Sequence, residues 1–218
     1  MTKRIYESTT NRTPANSIRT AIHAVRRHYV HSRVIHFIVF IVSVVLPGIA
    51  LTPAYAEIPA VGAQAPNFTL RTPQNRTVSM YSLLGTGPLV LIILRGYPGY
   101  QCPFCQRQVH DFIAHSANFA ALQAKVLLVY PGPSAQLNQR ATEFLESESQ
   151  LPPNVVLVTD PDYVATNLYG LRWNMPNETA YPSTLILNKQ GTILFEKISR
   201  SHGDRFSAEE ALQQLRKP

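Results

Sequence analysis

Apolar residues along this chain fall into short continuous runs, separated by stretches where they recur at helical spacing. The run Pro88-Leu89-Val90-Leu91-Ile92-Ile93-Leu94 has no polar member and predicts a buried strand. Residues 125–130, closed by Pro131-Gly132-Pro133, and residues 154–158 predict two more strands. After Cys105 the period changes. Val109, Phe112, Ile113 and Phe119 fall on one side of a helix, with Gln108, Asp111 and His115 off it. Ser134 is placed to cap a helix running to about Ser149. Residues 162–169 predict a short helix stopped by Gly170, and Ser207 with Glu210 spells a capping box opening a last helix to Leu215. Two hairpins complete the pattern. One joins residues 68–70 and 77–80 around Pro73-Gln74-Asn75; the other joins 185–187 and 192–196 around Asn188-Lys189-Gln190-Gly191. Residues 81–85 predict a turn or short helix. Strands alternating with helices imply an α/β fold with a parallel core sheet, and the closing hairpin adds antiparallel edge pairing.

Charge divides the chain. The 218 residues carry a formal charge of +7. Seven of the basic residues and a single acid, Glu7, lie in residues 1–56, so the remainder is nearly neutral. The basic character therefore describes a leader and gives no reason to expect a nucleic-acid partner. That leader has an order. A basic stretch runs to Arg33, an apolar stretch is densest over residues 37–46, Pro47-Gly48 breaks it, and Ala54-Tyr55-Ala56 supplies an A-x-A pattern before Glu57. This is the layout of a secretory signal peptide with a long basic region. The alternative is an uncleaved anchor, although the dense apolar core falls short of the ~20 residues a bilayer span needs. The expected organisation is a leader over 1–56 and one domain over 57–218, periplasmic or secreted, where disulfides can persist.

The chain has two cysteines, Cys102 and Cys105, in Cys102-Pro103-Phe104-Cys105 at the junction of the predicted strand and helix. Pro103 suits the first helical position, where its missing N–H costs nothing. Free N–H groups and the helix dipole at that point stabilise a thiolate. This favours redox chemistry. A structural staple constrains little over so short a loop. A zinc half-site lacks a second cysteine pair. Two inert buried thiols remain the third alternative.

Further motifs surround this pair. Ala65-Pro66-Asn67-Phe68-Thr69-Leu70 resembles the A-P-x-F-x-L opening of the alkyl hydroperoxide reductase C/thiol-specific antioxidant (AhpC/TSA) family. Residues 89–96 with the Cys-x-x-Cys resemble its active-site strand and loop, in the peroxiredoxin-like members that carry such a pair. Tyr181-Pro182-Ser183-Thr184 resembles the cis-proline strand of thioredoxin-fold proteins, and Asp204-Arg205 with Glu209-Glu210 the family's last helix entry. The resemblance covers residues from about 60 to 216. It implies a thioredoxin-like fold, a central mixed sheet flanked by helices with an N-terminal β-hairpin extension. By the same resemblance Cys105 falls on the peroxide-attacking cysteine, and Cys102 replaces a Thr/Ser. Pro182, expected in cis and facing the cysteines, stands where peroxiredoxins carry an arginine. Arg95 or Arg205 is then the candidate source of positive charge. Tyr97, Tyr100 and Tyr181 are candidate walls, and Pro103 supports the helix start.

Three functions follow. The first is an extracytoplasmic thiol oxidoreductase with peroxidase activity, in which Cys105 is oxidised to a sulfenic acid and Cys102 resolves it. The second is a protein thiol–disulfide reductase in which Cys102, the more exposed thiol, attacks. The third is a thioredoxin-fold metal-binding module using both thiols and a histidine such as His202. The first two need a peroxide or protein disulfide and a thiol electron donor, and no cofactor; a membrane enters only if the leader is retained. N-terminal sequencing of the exported protein is expected to begin near Glu57. An intact membrane-bound chain starting near Met1 would instead establish the anchor.

Overall fold

The computed structural model describes residues 56–217 apart from 86, 147 and 149. The leader's apolar run and most of its cleavage pattern lie outside the described residues. Seven strands form one sheet in the order β2-β1-β5-β4-β3-β6-β7. They are β1 (Thr69–Arg71), β2 (Thr77–Ser79), β3 (Leu89–Ile93), β4 (Lys125–Gly132), β5 (Val155–Pro161), β6 (Ser183–Leu187) and β7 (Ile193–Ile198). Strands β3, β4 and β5 pair in parallel, and β6 and β7 continue antiparallel. The hairpin β1–β2 joins the far side through Arg71 opposite Thr159. The helices are α1 (Pro103–Ala114), α2 (Ser116–Ala121), α3 (Leu137–Phe144), α4 (Val164–Leu168) and α5 (Ala208–Leu215), with a 3₁₀ turn at Met80–Leu83. This is the α/β architecture expected, hairpin extension included.

The absence of polar residues in β3 has a direct cause. Val90, Ile92 and Leu94 join an apolar cluster with Phe112, Tyr130 and both cysteines. Leu89, Leu91 and Ile93 join a second cluster with Phe68, Met80 and Tyr169. The strand alternates between two buried faces, so no position on it meets water. Among the described residues no helix is long and apolar enough to cross a membrane.

Local expectations hold unevenly. The capping box at α5 forms, with Ser207 accepting from the Glu210 N–H and the Glu210 carboxylate accepting from the Ser207 N–H at 2.8 Å. Ser134 does not cap α3. Its N–H donates to Asp162 Oδ1 at 3.0 Å, and the helix begins behind Gln136, which sits in the left-handed region. That helix ends at Phe144, well before Ser149, where bonds from Glu146 to Glu143 and from Glu148 to Leu145 tighten the chain into three-residue turns. Strand β4 runs through Pro131 and Gly132, which lie opposite Asp160 and Pro161. Pro131 also accepts the Tyr97 N–H at 2.9 Å, which ties the loop bearing the cysteines to β4.

That tie depends on Gly96. Its φ is +72°, and a Cβ there would lie 1.9 Å from the Pro131 carbonyl oxygen. Gly96→Ala is expected to cost about 2–3 kcal/mol, from left-handed strain plus displaced backbone. Gly62→Ala, also at positive φ but with open space around it, should cost about 1 kcal/mol. Urea midpoints at constant slope measure both, and equal losses at the two glycines would refute the crowding argument.

Candidate active site

The loop from β3 brings Cys102 to the N-cap of α1, with Pro103 at the first helical position. The Cys102 carbonyl accepts the Gln106 N–H at 3.1 Å, so the helix is closed one turn below the sulfur. Cys105, on that first turn, faces inward. Both cysteines are free thiols. Their exposures, 1% for Cys102 and 0% for Cys105, correct the expectation that Cys102 is the accessible one. The first turn of α1 and the chain following β7 meet beside it: a Cβ on Gly203 would lie 3.1 Å from the Phe104 ring.

The two sulfurs are electrically unlike. Cys102 is pulled down to about 5, first by the hydrogen bond it accepts from the Cys105 thiol; the Cys105 backbone N–H and the Arg205 charge add to this against burial. Burial pushes Cys105 up, and its bond to the Cys102 sulfur reinforces the shift. The pair therefore titrates as one unit, sharing one proton and one negative charge, with the shifts favouring the charge on Cys102. The Arg205 guanidinium faces both: Nη2 lies 3.5 Å from Cys105 Sγ and 3.8 Å from Cys102 Sγ. Its Nη1 donates to Gln108 Oε1 at 3.3 Å and its Nε to the His202 carbonyl at 2.7 Å. Tyr130 is the neighbouring phenol. Burial pushes it up, and it donates to Gln101 Oε1 at 2.7 Å.

Of the two candidate arginines, Arg205 reaches the sulfurs with its side chain. Arg95 is buried and fully engaged elsewhere, donating to Glu178 Oε2 at 2.7 Å, Tyr100 Oη at 2.8 Å and the Asn177 carbonyl at 2.7 Å. It acts on Cys105 through its backbone N–H. Pro182 borders the cleft around Arg205 together with Gln108 and Phe206. No cis peptide bond occurs among the described residues, so the Tyr181–Pro182 bond is trans, against expectation. An X–Pro bond prefers trans by about 0.5–1 kcal/mol. Here the trans chain also satisfies its neighbours: Tyr181 donates to the Leu171 carbonyl and Pro182 accepts the Ser199 N–H.

The tyrosines divide. Tyr97 packs on the cysteine side of the sheet. Tyr100 is half-exposed under the Arg95 guanidinium. Tyr181 packs against the apolar cluster of the opposite face and stacks on Trp173 at 4.8 Å. His202 turns to Glu178 Oε1 at 2.9 Å and away from the metal-ligand role. Among the described residues no group of three or more metal-ligating side chains is assembled. A wide cleft between the β1–β2 hairpin and the start of β5, bordered by Arg76, Lys125 and Glu148, contains no residue of this site.

Two participants escaped the sequence reading. Gln108 was placed off the apolar side of α1, yet it is buried, because its amide donates to the Phe206 carbonyl at 3.0 Å and its oxygen receives Arg205. Its position three residues after Cys105 was the available signal. Glu178 gave none; it lies in an irregular loop far from the cysteines in sequence.

A buried dithiol at a strand-to-helix junction, with one sulfur ionised beneath an arginine, defines a thiol-based redox enzyme of thioredoxin-like architecture. The AhpC/TSA family profile matches residues 61–195, and the chain belongs to that family. It is 33% identical, over 61% of its own length and 84% of the relative's, to the bcp protein of Helicobacter pylori, provisionally described as a peroxiredoxin. The fold is similar to that of peroxidoxin BcpB from Mycobacterium tuberculosis, at TM-score 0.60 and 20% identity over 72% of this chain and 97% of that one. A peroxiredoxin-like protein from Aquifex aeolicus aligns with TM-score 0.59 and 17% identity over 74% and 88%. The protein is a peroxiredoxin-like thiol oxidoreductase.

The asymmetry fixes a pH profile. Below pH 5 Cys102 is a thiol and unreactive; above it, the thiolate is present. Reaction with a small thiol reagent is expected to rise through about pH 5 and be flat by neutrality. A rise centred near the ordinary cysteine value of about 8.5 would contradict the ionised pair.

Proposed function

We propose that the protein is an extracytoplasmic thiol peroxidase that cycles Cys102 and Cys105 between dithiol and disulfide. The single observation that carries this is the Arg205 guanidinium facing both sulfurs, 3.5 Å and 3.8 Å away. An arginine there stabilises the thiolate before reaction and the oxygen anion that leaves during it. The buried setting, with no open path for a protein surface, suits a small hydroperoxide.

The Cys102 thiolate attacks the terminal peroxide oxygen and the O–O bond breaks, giving Cys102 sulfenic acid, while the alkoxide or hydroxide leaves and takes a proton from water. The Cys105 thiol gives up its proton as its sulfur attacks Cys102. The S–S bond forms, the S–O bond breaks, and water departs. An external dithiol donor then supplies two electrons and two protons and is itself oxidised to a disulfide. These roles reverse the ones implied by alignment, where Cys105 meets the peroxide. What supports the reversal is the direction of the two shifts, Cys102 down and Cys105 up, because only the thiolate is nucleophilic. The leader, ending in Ala54-Tyr55-Ala56, supports export to a compartment where a disulfide survives.

Stopped-flow oxidation by hydrogen peroxide tests the assignment. Cys102→Ser is expected to abolish rapid oxidation. Cys105→Ser should allow one turnover and stall at a sulfenic acid trapped by dimedone. The converse pattern would restore the roles given by alignment. A wild-type rate no faster than that of a free thiol at equal thiolate fraction would remove the peroxidase and leave the protein-disulfide reductase.

A further inference from the structure

Arg205 lies in an irregular segment, residues 199–206, between β7 and α5. A long side chain on an irregular segment loses rotamer freedom when fixed, so contacts must hold it. Its Nε bond to the His202 carbonyl is local, spanning three residues, and sets only the shape of the turn. Gln108 provides one anchor from α1. Another begins at the His202 ring. His202 Nε2 meets Glu178 Oε1 at 2.9 Å, and the ring leans on Trp173 with centroids 5.4 Å apart. Glu178 turns its other oxygen to Arg95 Nε at 2.7 Å. Arg95 is 1% exposed and is held twice more, by Tyr100 and Asn177. It stands just past β3, on the segment that leads into Cys102. The two ends of the segment are held as well, by the Ser199 N–H on the Pro182 carbonyl at 2.8 Å and by buried Phe206, which stacks on Phe195 and accepts from Gln108 at 3.0 Å, but between these ends the other ties are local or superficial. Asp204 pairs with Lys197 at 2.7 Å, where both side chains are substantially exposed, and such a pair holds little. Ser199 Oγ donates to the Asp204 carbonyl within the segment itself.

The charges support this reading. Among the described residues Arg205 has no carboxylate in a salt bridge. Glu178 serves Arg95 and His202, and Asp204 serves Lys197. The guanidinium near the sulfurs is thus left without a carboxylate paired to it.

We infer that Glu178 and His202 are positioning residues that hold the 199–206 segment so that Arg205 faces the dithiol. The chain of contacts runs Arg95–Glu178–His202–Arg205–sulfur, and it anchors the arginine to the same segment that delivers the cysteines. Neither Glu178 nor His202 is given contact with the reacting atoms. The inference deepens the proposed function, resting on the dithiol as the working site, but it does not depend on the oxidant.

The test reads the thiolate directly. The first ionisation of the cysteine pair is followed by ultraviolet thiolate absorbance in the reduced, full-length protein, without peroxide. His202→Ala cuts the link while leaving the Arg95–Glu178 pair intact. It is expected to move the titration midpoint upward by about half to one pH unit, because a loosened opposite charge stabilises the thiolate less. In an Arg205→Ala background the same His202→Ala change is expected to move nothing further. Glu178→Gln, of equal size and still able to accept from Arg95, should shift the midpoint in the same direction, again only while Arg205 is present. An unchanged midpoint in His202→Ala overturns the inference. So does an equal shift with and without Arg205, which would mean that His202 acts on the sulfurs directly or through general loosening. Absent peroxidase activity with these midpoints obtained would instead defeat the oxidant assignment alone.

Discussion

A single negative charge on two buried sulfurs is the constraint the rest of this structure answers. Water is the ordinary stabiliser of a thiolate, and here it is nearly absent: the exposures of Cys102 and Cys105 are 1% and 0%. Burial alone would keep both sulfurs protonated. The fold supplies replacements in fixed positions. The start of α1 offers its unpaired N–H groups and positive dipole end. Cys105 contributes a thiol donor, Arg95 a backbone N–H and Arg205 a guanidinium. They come from three parts of the chain, the start of α1 with Cys105, the segment after β3 and the segment after β7, and the parallel β3–β4 pair underlies them. The continuous apolar run of β3 is thus a requirement of the site as well as of the core, since it carries the loop with the cysteines into the interior.

The position of the positive charge distinguishes this protein within its resemblance. Where peroxiredoxins place an arginine before the late strand, this chain has Pro182, with its carbonyl committed to Ser199. The guanidinium arrives instead from beyond β7, over the first turn of α1. A Cys-x-x-Cys gives a reason for that route. The sulfurs sit at the N-cap and one turn into the helix, so a cation that serves both has to lie across the turn, where Gln108 on the same helix can orient it. Arg95, one residue beyond the β3 run, has each of its three side-chain nitrogens held, by Glu178, Tyr100 and Asn177. It stabilises the loop walls and leaves the dithiol to Arg205.

The fold was legible because its signals are local or periodic. Unbroken apolar runs marked β3 and β4, the spacing of Val109 and Phe112 marked α1, and Ser207 with Glu210 marked the start of α5. The cysteine pair announced itself by type and spacing. Errors arose where a tertiary partner overrides a local rule. Ser134 has the right residue type for a cap, but Asp162 holds its N–H in the loop and the helix starts only after Gln136, which takes the N-cap position. Gln108 is polar and reads as a surface residue until the Phe206 carbonyl and Arg205 are brought against it. The choice between Arg95 and Arg205 could not be made from sequence, because it turns on which guanidinium finds a carboxylate first. Asp160 is a similar case: wholly buried, it caps α4 by accepting the Ala165 and Thr166 N–H groups at 2.9 Å, a role its place in a strand does not reveal.

The same interactions bear on why a disulfide here would be a working intermediate and not a staple. Everything that lowers Cys102 stabilises the reduced pair, since the thiolate exists only in that form. A disulfide has no charge for Arg205 or the helix dipole to stabilise. Relative to an ordinary cysteine pair, the oxidised state therefore loses these contributions and becomes easier to reduce. Closing a loop with only two residues between the cysteines returns little through the unfolded chain. Both effects act in the same direction: a stabilised Cys102 thiolate and a disulfide that a thiol donor reduces more easily are what the proposed cycle requires. A structural crosslink requires the opposite, sulfurs distant in sequence and free of stabilised charge. The ionised dithiol beneath Arg205 thus argues for turnover on the ground of its own reduced-state stability, independently of which oxidant it meets.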